Sequence, residues 1–151
     1  VQNGVRAAYL NSSLTYNQYS EAIRRAGLGE YKIIYVAPER LWTSSFMDFV
    51  NSVDISMITV DEAHCVSQWG HDFRPNYLKI VHFVEKLKKR PVICAMTATA
   101  TKEVKEDIIS ILKLKNPVLI ISPFSSTIVS LLVKTSIPVT YGVVLSVTNS
   151  L

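Results

Sequence analysis

Apolar and polar positions along this chain follow two alternating rhythms. Val5 to Leu10, Lys32 to Val36, Ile55 to Val60, Val92 to Met96 and Val118 to Ile121 are short apolar runs rich in β-branched residues, as strands require. Between them, apolar residues recur at helical spacing. Tyr16, Tyr19, Ala22, Ile23 and Ala26 form one such stripe within Thr15 to Ala26, and a short helix is expected from Ser44 to Val50. Leu78, Val81, Val84 and Leu87 mark a helix over Tyr77 to Lys88, and Val104, Ile108, Ile111 and Leu112 mark one over Lys102 to Leu114. Thr15 with Gln18 makes a capping box, Gly27 a stop signal and Thr101 an N-cap. Strands alternating with helices predict an α/β fold: a mostly parallel sheet built from βαβ units and flanked by helices.

Beyond Phe124 the rhythm is lost. Residues 125 to 151 carry one charged side chain, Lys134, and are rich in Ser, Thr, Val and Leu. Ile128 to Leu151 has the length of a membrane span, but Lys134, Pro138, Gly142 and the many hydroxyls argue against one. Two readings remain: a pair of strands broken at Ser136-Ile-Pro138, or an apolar tail foreign to the preceding domain. On composition the stretch is expected to be dispensable, poorly ordered and prone to aggregation.

Composition adds less. A chain of 151 residues with 48% hydrophobic residues and a mean hydropathy of +0.23 fits one domain with a sizeable core and excludes a disordered chain. A formal charge of +4 and a pI near 9.1 are compatible with a polyanionic partner without demanding one. Cys65 and Cys94 stand far apart and match no C-x-x-C pattern, which predicts reduced thiols and an intracellular protein. The chain opens at Val1-Gln-Asn-Gly without a secretory signal or initiator Met, so a fragment is expected.

The chemistry concentrates in Asp61 to Pro75, DEAHCVSQWGHDFRP. Asp61 follows the Ile55 to Val60 strand, read as buried on both faces, and so lies at the carboxyl end where open α/β sheets bind ligands. A carboxylate there suits a magnesium ion held through water against nucleotide phosphates, and Glu62, one residue on, suits activation of a water. Adjacent acids alone are commonly solvated surface; the tetrad Asp61-Glu-Ala-His64 behind an apolar strand is far more specific. In the following loop, Trp69 and Phe73 offer faces for base stacking, and Arg74 offers charge to a phosphate or carboxylate. Interleaved Gln68, Gly70, His71 and Asp72 argue against a buried aromatic pair. His64, His71 and Cys65 match no zinc spacing, so no zinc is expected here.

The tetrad resembles the second Walker motif of the helicase superfamily that includes DEAD-box and DEAH-box proteins. Its continuation, Ser67-Gln-Trp-Gly-His-Asp-Phe-Arg-Pro75, resembles the aromatic-rich loop of RecQ-family DNA helicases. The resemblance runs from Val1 to about Phe124. It implies a RecA-like P-loop NTPase lobe, incomplete at its N-terminus, of an ATP-dependent helicase that moves 3′ to 5′ on single-stranded DNA in repair and recombination. ATP and Mg2+ are then the implied cofactors. Single-stranded DNA, duplex junctions and a second motor lobe are the implied partners, without a membrane. The implied compartment is the cytoplasm or nucleoid of a bacterium, or the nucleus of a eukaryote.

By the same resemblance Asp61 holds the magnesium ion, Glu62 activates water, and His64 with Thr97 and Thr99 of Met96-Thr-Ala-Thr-Ala-Thr101 couples the nucleotide site to the DNA side. Thr-rich sequence before a helix is by itself more often capping. Its place one βα unit after the tetrad favours the functional reading. Pro38, Glu39 and Arg40 of Ala37-Pro-Glu-Arg40 resemble the motif that touches the DNA backbone; alone they read as a surface loop. Gln68, Trp69, His71, Phe73 and Arg74 are the implied DNA sensors.

The family's G-x-x-x-x-G-K-[ST] phosphate loop does not occur in this sequence, and Ser125-Ser-Thr-Ile replaces its usual Asp-Arg-Pro-Asn. Residues 1 to 124 are thus expected to form part of a helicase ATP-binding lobe. Residues 125 to 151 are expected to be an atypical and even non-native addition. Two other readings stay open: a catalytically inactive DNA-binding or regulatory piece, and a DEAH-type RNA helicase, which fits the tetrad but not the aromatic loop.

Overall fold

The computed structural model describes residues 4–121, 129–132 and 142–145. Strand β1 (Ala7–Leu10) leads into helix α1 (Tyr16–Gly27), and β2 (Ile33–Val36) into a single 3-10 turn at Pro38–Arg40 and then α2 (Ser44–Ser52). Strand β3 (Met57–Val60) runs into a second 3-10 turn, Ala63–Val66, and α3 (Pro75–Lys86). Next come β4 (Val92–Ala95), α4 (Lys102–Ile111), β5 (Val118–Ile121), β6 (Val129–Leu132) and β7 (Gly142–Leu145).

Local chemistry explains several element ends. The Thr15 hydroxyl accepts the Gln18 N–H at 3.3 Å while the Gln18 side chain accepts the Thr15 N–H at 2.9 Å, which is the expected capping box. Thr101 caps α4 by accepting the Val104 N–H at 3.4 Å. Helix α1 ends at the expected Gly27, and a left-handed residue follows two positions later. There Gly29, at φ 77°, donates to the Ala26 carbonyl in the left-handed conformation that glycine adopts without a Cβ penalty. Tyr16, assigned from its spacing to the inner stripe, is 84% exposed because it begins the helix outside the packed turns.

The sheet order is β1-β2-β7-β3-β4-β6-β5. Strands β1, β2, β7, β3 and β4 run parallel, and β6 pairs antiparallel with both β4 and β5. The core gathers Ile34, Val36, Ile58 and Val60 from the sheet with Phe46 of α2, Tyr77, Ile80 and Phe83 of α3, and Val104 and Ile108 of α4. The Phe46 and Phe83 rings meet at 5.9 Å. Strand β3 is less symmetric than expected: Ile58 and Val60 are buried, whereas Met57 and Thr59 are only half-buried.

Two pieces of the stretch that composition sets apart, Val129–Leu132 and Gly142–Leu145, are strands of this sheet. Strand β7 pairs with β2 on one side and β3 on the other, and Val143 is buried. Of the two readings of residues 125 to 151, these two pieces agree with the pair of strands on either side of Ser136-Ile-Pro138 and not with a tail foreign to the domain. Strand pairing is a non-local property that composition does not register. Among the described residues no helix is long and apolar enough to cross a membrane.

Register brings the chemistry to one rim. Leu10, Val36, Leu145, Val60 and Ala95 are successive partners across the parallel strands, so these strands end level with one another. The segments that leave β2, β3 and β4, residues 37–40, 61–64 and 96–99, consequently emerge at the same carboxyl edge, the last two from neighbouring strands and the first across β7.

Candidate active site

Two backbone bonds tie the end of β3 to the end of β4. The Met96 N–H donates to the Val60 carbonyl and the Ala63 N–H to the Met96 carbonyl, both at 2.8 Å. Between them the chain turns sharply at Glu62, whose φ of 48° and ψ of 43° place a non-glycine residue in the left-handed region. That conformation costs about 1–2 kcal/mol and persists only where its surroundings enforce it, a frequent property of functional turns. Here the Glu62 N–H donates to Asp61 Oδ1 at 2.9 Å, and the Tyr77 hydroxyl donates to the Asp61 carbonyl at 3.2 Å. The turn aims the two carboxylates differently: Asp61 stays half-buried at the sheet edge while the Glu62 side chain is about half-exposed.

His64 is buried at the centre of the arrangement. Its Nδ1 lies 2.9 Å from Thr97 Oγ1 and 3.3 Å from Glu62 Oε2. The Thr97 hydroxyl donates its one proton to the Thr99 carbonyl at 3.0 Å, so toward His64 it accepts. Nδ1 therefore carries a proton shared between Thr97 and Glu62, a tautomer assigned from the network. Nε2 is left facing Cys65 Sγ at 3.7 Å. Burial, and then the neighbouring His71 ring stacked at 4.3 Å, lower the His64 pKa from its ordinary value, while Glu62 opposes the shift. Burial likewise pushes the Cys65 thiol up to about 11, which keeps it protonated and unreactive.

Because folding favours neutral His64, its contribution to stability is full above the ordinary imidazole pKa of about 6.5 and is lost as pH falls toward the lowered folded value. Thermal transitions measured across that window should fall less steeply with acid in a His64→Gln protein than in the unaltered one. Equal slopes would show that His64 binds its proton alike in both states.

The loop after His64 is anchored at its root and open at its tip. The Gly70 N–H donates to the Ser67 carbonyl at 3.1 Å, and the Arg74 N–H donates to the Cys65 carbonyl at 2.9 Å. A Cβ at Gly70 would stand 2.5 Å from the His64 carbonyl oxygen, so only glycine fits this turn. Trp69 is 78% exposed, Gln68 and His71 are exposed, and Phe73 is half-buried. The Arg74 guanidinium donates through Nε to Asp72 at 2.9 Å, and this bond holds the Asp72 carboxyl below the usual carboxylate range.

Other candidates are placed less directly. Thr99 reaches the tetrad only through Thr97: its N–H donates to the Thr97 hydroxyl at 3.3 Å, and its own side chain is exposed. Pro38 is buried at the start of its 3-10 turn and Glu39 is exposed. Arg40 lies over the Tyr19 ring at 5.4 Å, a cation–π contact. Tyr77 was read from the sequence only as a helix residue, although its hydroxyl supports the Asp61 turn. Asp107 was missed altogether. Its signal was a carboxylate at i+3 from Val104 and i−4 from Ile111, on the apolar stripe of α4.

The Asp61 carboxylate at the sheet edge has the donor chemistry for a magnesium ion of the kind that takes one or two carboxylates, waters and substrate phosphates. Among the described residues no group of three or more His, Cys, Asp and Glu side chains gathers into a metal cage, and such an ion needs none.

A family model described as DEAD/DEAH box helicase matches residues 3–107. The chain is 45% identical over 105 residues to the ATP-dependent DNA helicase RecQ of Bacillus subtilis (strain 168), covering 70% of this chain and 18% of that protein. It is 38% identical over 122 residues to the ATP-dependent DNA helicase RecQ of Pasteurella multocida (strain Pm70), covering 81% of this chain and 19% of that one. Over 94 residues it is 45% identical to the mouse protein named bifunctional 3'-5' exonuclease/ATP-dependent helicase WRN, covering 60% of this chain and 6% of that one. The chain thus spans less than a quarter of the length of these curated relatives.

Proposed function

Since this chain belongs to the DEAD/DEAH box helicase family, we propose that it forms part of the first motor lobe of an ATP-dependent, RecQ-type DNA helicase. The observation that carries this reading is the bond between His64 Nδ1 and Thr97 Oγ1 at 2.9 Å. It joins the segment bearing the two carboxylates to the segment after β4, directly beside the root of the aromatic loop. The printed names of the two RecQ relatives, which say DNA helicase, favour this reading over an RNA helicase.

Asp61 is assigned to a magnesium ion, which when bound neutralises charge on the nucleotide phosphates. Glu62 takes the proton of the attacking water, held outside the sheet edge by its left-handed backbone. The His64 Nδ1–H is shared by Thr97 and Glu62, so a shift of Thr97 changes how firmly the Glu62 carboxylate is held. Trp69 and Phe73 stack on bases of single-stranded DNA, with Gln68, His71 and Arg74 contributing polar contacts. Pro38, Glu39 and Arg40, together with Thr99, lie along the path of the strand's backbone. The second motor lobe completes the nucleotide site, and the protein works inside the cell.

The piece alone is expected to release no phosphate above background, because the 151 residues contain no G-x-x-x-x-G-K-[ST] to cradle the phosphates. In the full-length helicase that carries this lobe, Trp69→Ala is expected to lower DNA-stimulated ATP hydrolysis by about tenfold or more, given the roughly 1–3 kcal/mol of one stacking contact. DNA affinity at one fixed salt concentration should change much less, since phosphate contacts elsewhere dominate it. A loss confined to binding, with stimulation intact at saturating DNA, would make the loop a docking surface only. Absence of any DNA-dependent ATP hydrolysis by the full-length protein would overturn the proposed function.

A further inference from the structure

A half-buried bond outside the nucleotide site ties the root of the aromatic loop to α4. Ser67 is fully buried, and its hydroxyl donates to Asp107 Oδ2 at 2.6 Å across 40 positions of sequence. That length is typical of a charge-assisted bond to a carboxylate. The same hydroxyl oxygen accepts the Trp69 N–H at 3.1 Å. With its single proton committed to Asp107, the Ser67 hydroxyl is oriented with a lone pair toward the backbone of Trp69.

Asp107 is unusual for its position. It lies between Val104 and Ile111 on the stripe of α4 that packs on the core, and among the described residues no Lys or Arg forms an ion pair with it. Asp107 is half-buried, so an apolar side chain there would avoid part of the cost of desolvating a carboxylate, and packing alone does not account for it. What the carboxylate adds is direction. The segment from Ala63 to Ser67 is held to the segment from Thr97 to Asp107 at two points, His64 to Thr97 and Ser67 to Asp107. Helix α4, capped by Thr101 and rooted in the core through Val104 and Ile108, joins those two points.

We propose that Asp107 is the positioning residue of the aromatic loop: through Ser67 it sets the backbone at Trp69, and through α4 it ties displacement of the loop to the Thr97–His64 contact. The link to ATP hydrolysis rests on the function proposed above; the positioning of Trp69 does not. Asp107 touches neither nucleotide nor DNA in this assignment.

The test uses the full-length helicase carrying Asp107→Ala, Asp107→Asn, Ser67→Ala and the double Ser67→Ala/Asp107→Ala change. Asp107→Ala should lower the DNA-stimulated ATPase rate by about tenfold, as expected of a lost hydrogen bond to a charged group, and leave the rate without DNA within about twofold. Asp107→Asn should recover part of the loss, because the amide oxygen still accepts from Ser67. The double change should be no worse than the more severe single one, since both remove the same bond.

Basal and stimulated rates falling together, or additive losses in the double variant, would reduce the bond to a packing contact and overturn the proposal. Acrylamide quenching of Trp69 fluorescence without DNA, in a background whose other tryptophans are changed to Phe, supplies the second readout. Quenching should change in Asp107→Ala and return toward the original in Asp107→Asn. Unchanged quenching in a folded Asp107→Ala protein overturns the positioning role even if the ATPase rates move. A full-length protein insensitive to DNA would instead overturn the proposed function, and quenching would still decide the role of Asp107.

Discussion

Replacing Glu62 by glutamine in the full-length helicase should lower ATP turnover by about 10²–10⁴-fold, the range that a positioned general base commonly supplies. The amide has nearly the shape of the carboxylate, and its oxygen can still accept the His64 Nδ1–H that lies 3.3 Å from Glu62 Oε2. The left-handed turn depends on the Glu62 N–H bonded to Asp61, which the change leaves alone. Nucleotide affinity should therefore survive while the water loses its proton acceptor. Steady-state phosphate release and equilibrium binding of a fluorescent ATP analogue, compared at one magnesium concentration, separate the two effects. Turnover equal to that of the unaltered protein would remove Glu62 from its assigned role. A parallel loss of binding would mean that the turn had collapsed.

Cutting the chain after Phe124 should destabilise it severely, against the expectation that composition alone supports. Removal of Gly142–Leu145 leaves β2 and β3 with facing unpaired edges in the middle of the sheet, beside the buried Ile34, Val36, Ile58 and Val60. It also removes Val143 from the core. Opening the backbone ladders on both sides of a central strand costs several kcal/mol, a large part of the roughly 5–15 kcal/mol that holds a domain together. The thermal transition should fall by more than about 10 °C, and solubility should drop as the two edges become templates for pairing with other chains. Val143→Asp, which places an unpaired charge in the core without shortening the chain, should act in the same direction. An unchanged transition after truncation would show that β7 adds nothing to the sheet.

Both expectations depend on features of very different legibility. The tetrad Asp61-Glu-Ala-His64 and the loop Ser67 to Pro75 were readable because their chemistry lies in consecutive residues. The preceding apolar run also made the strand, and hence the end of the sheet that bears Asp61, predictable. Caps were readable for the same reason: Thr15 with Gln18 and Thr101 with Val104 act within one helical turn. Strand and helix positions followed from periodicity to within a few residues, the usual uncertainty at element ends.

Whatever joins distant parts of the chain was decided only by the tertiary structure. Four apolar residues, Gly142-Val-Val-Leu145, carry no periodicity that marks a central strand, and only the gap between β2 and β3 gives them their place. The left-handed Glu62 arises because the bonds around Met96 and Tyr77 fix the chain on either side of the turn, not from any preference of glutamate. The proton on His64 Nδ1 is set by where Thr97 sends its own, and Asp107 meets Ser67 because α4 packs against the root of the loop. By itself the sequence determined which groups are present, their local order and the alternation of strand with helix, since these depend on neighbours in the chain. Packing decided which groups meet, how they are protonated and which strand fills the sheet, since those depend on contacts whose closure requires the whole fold.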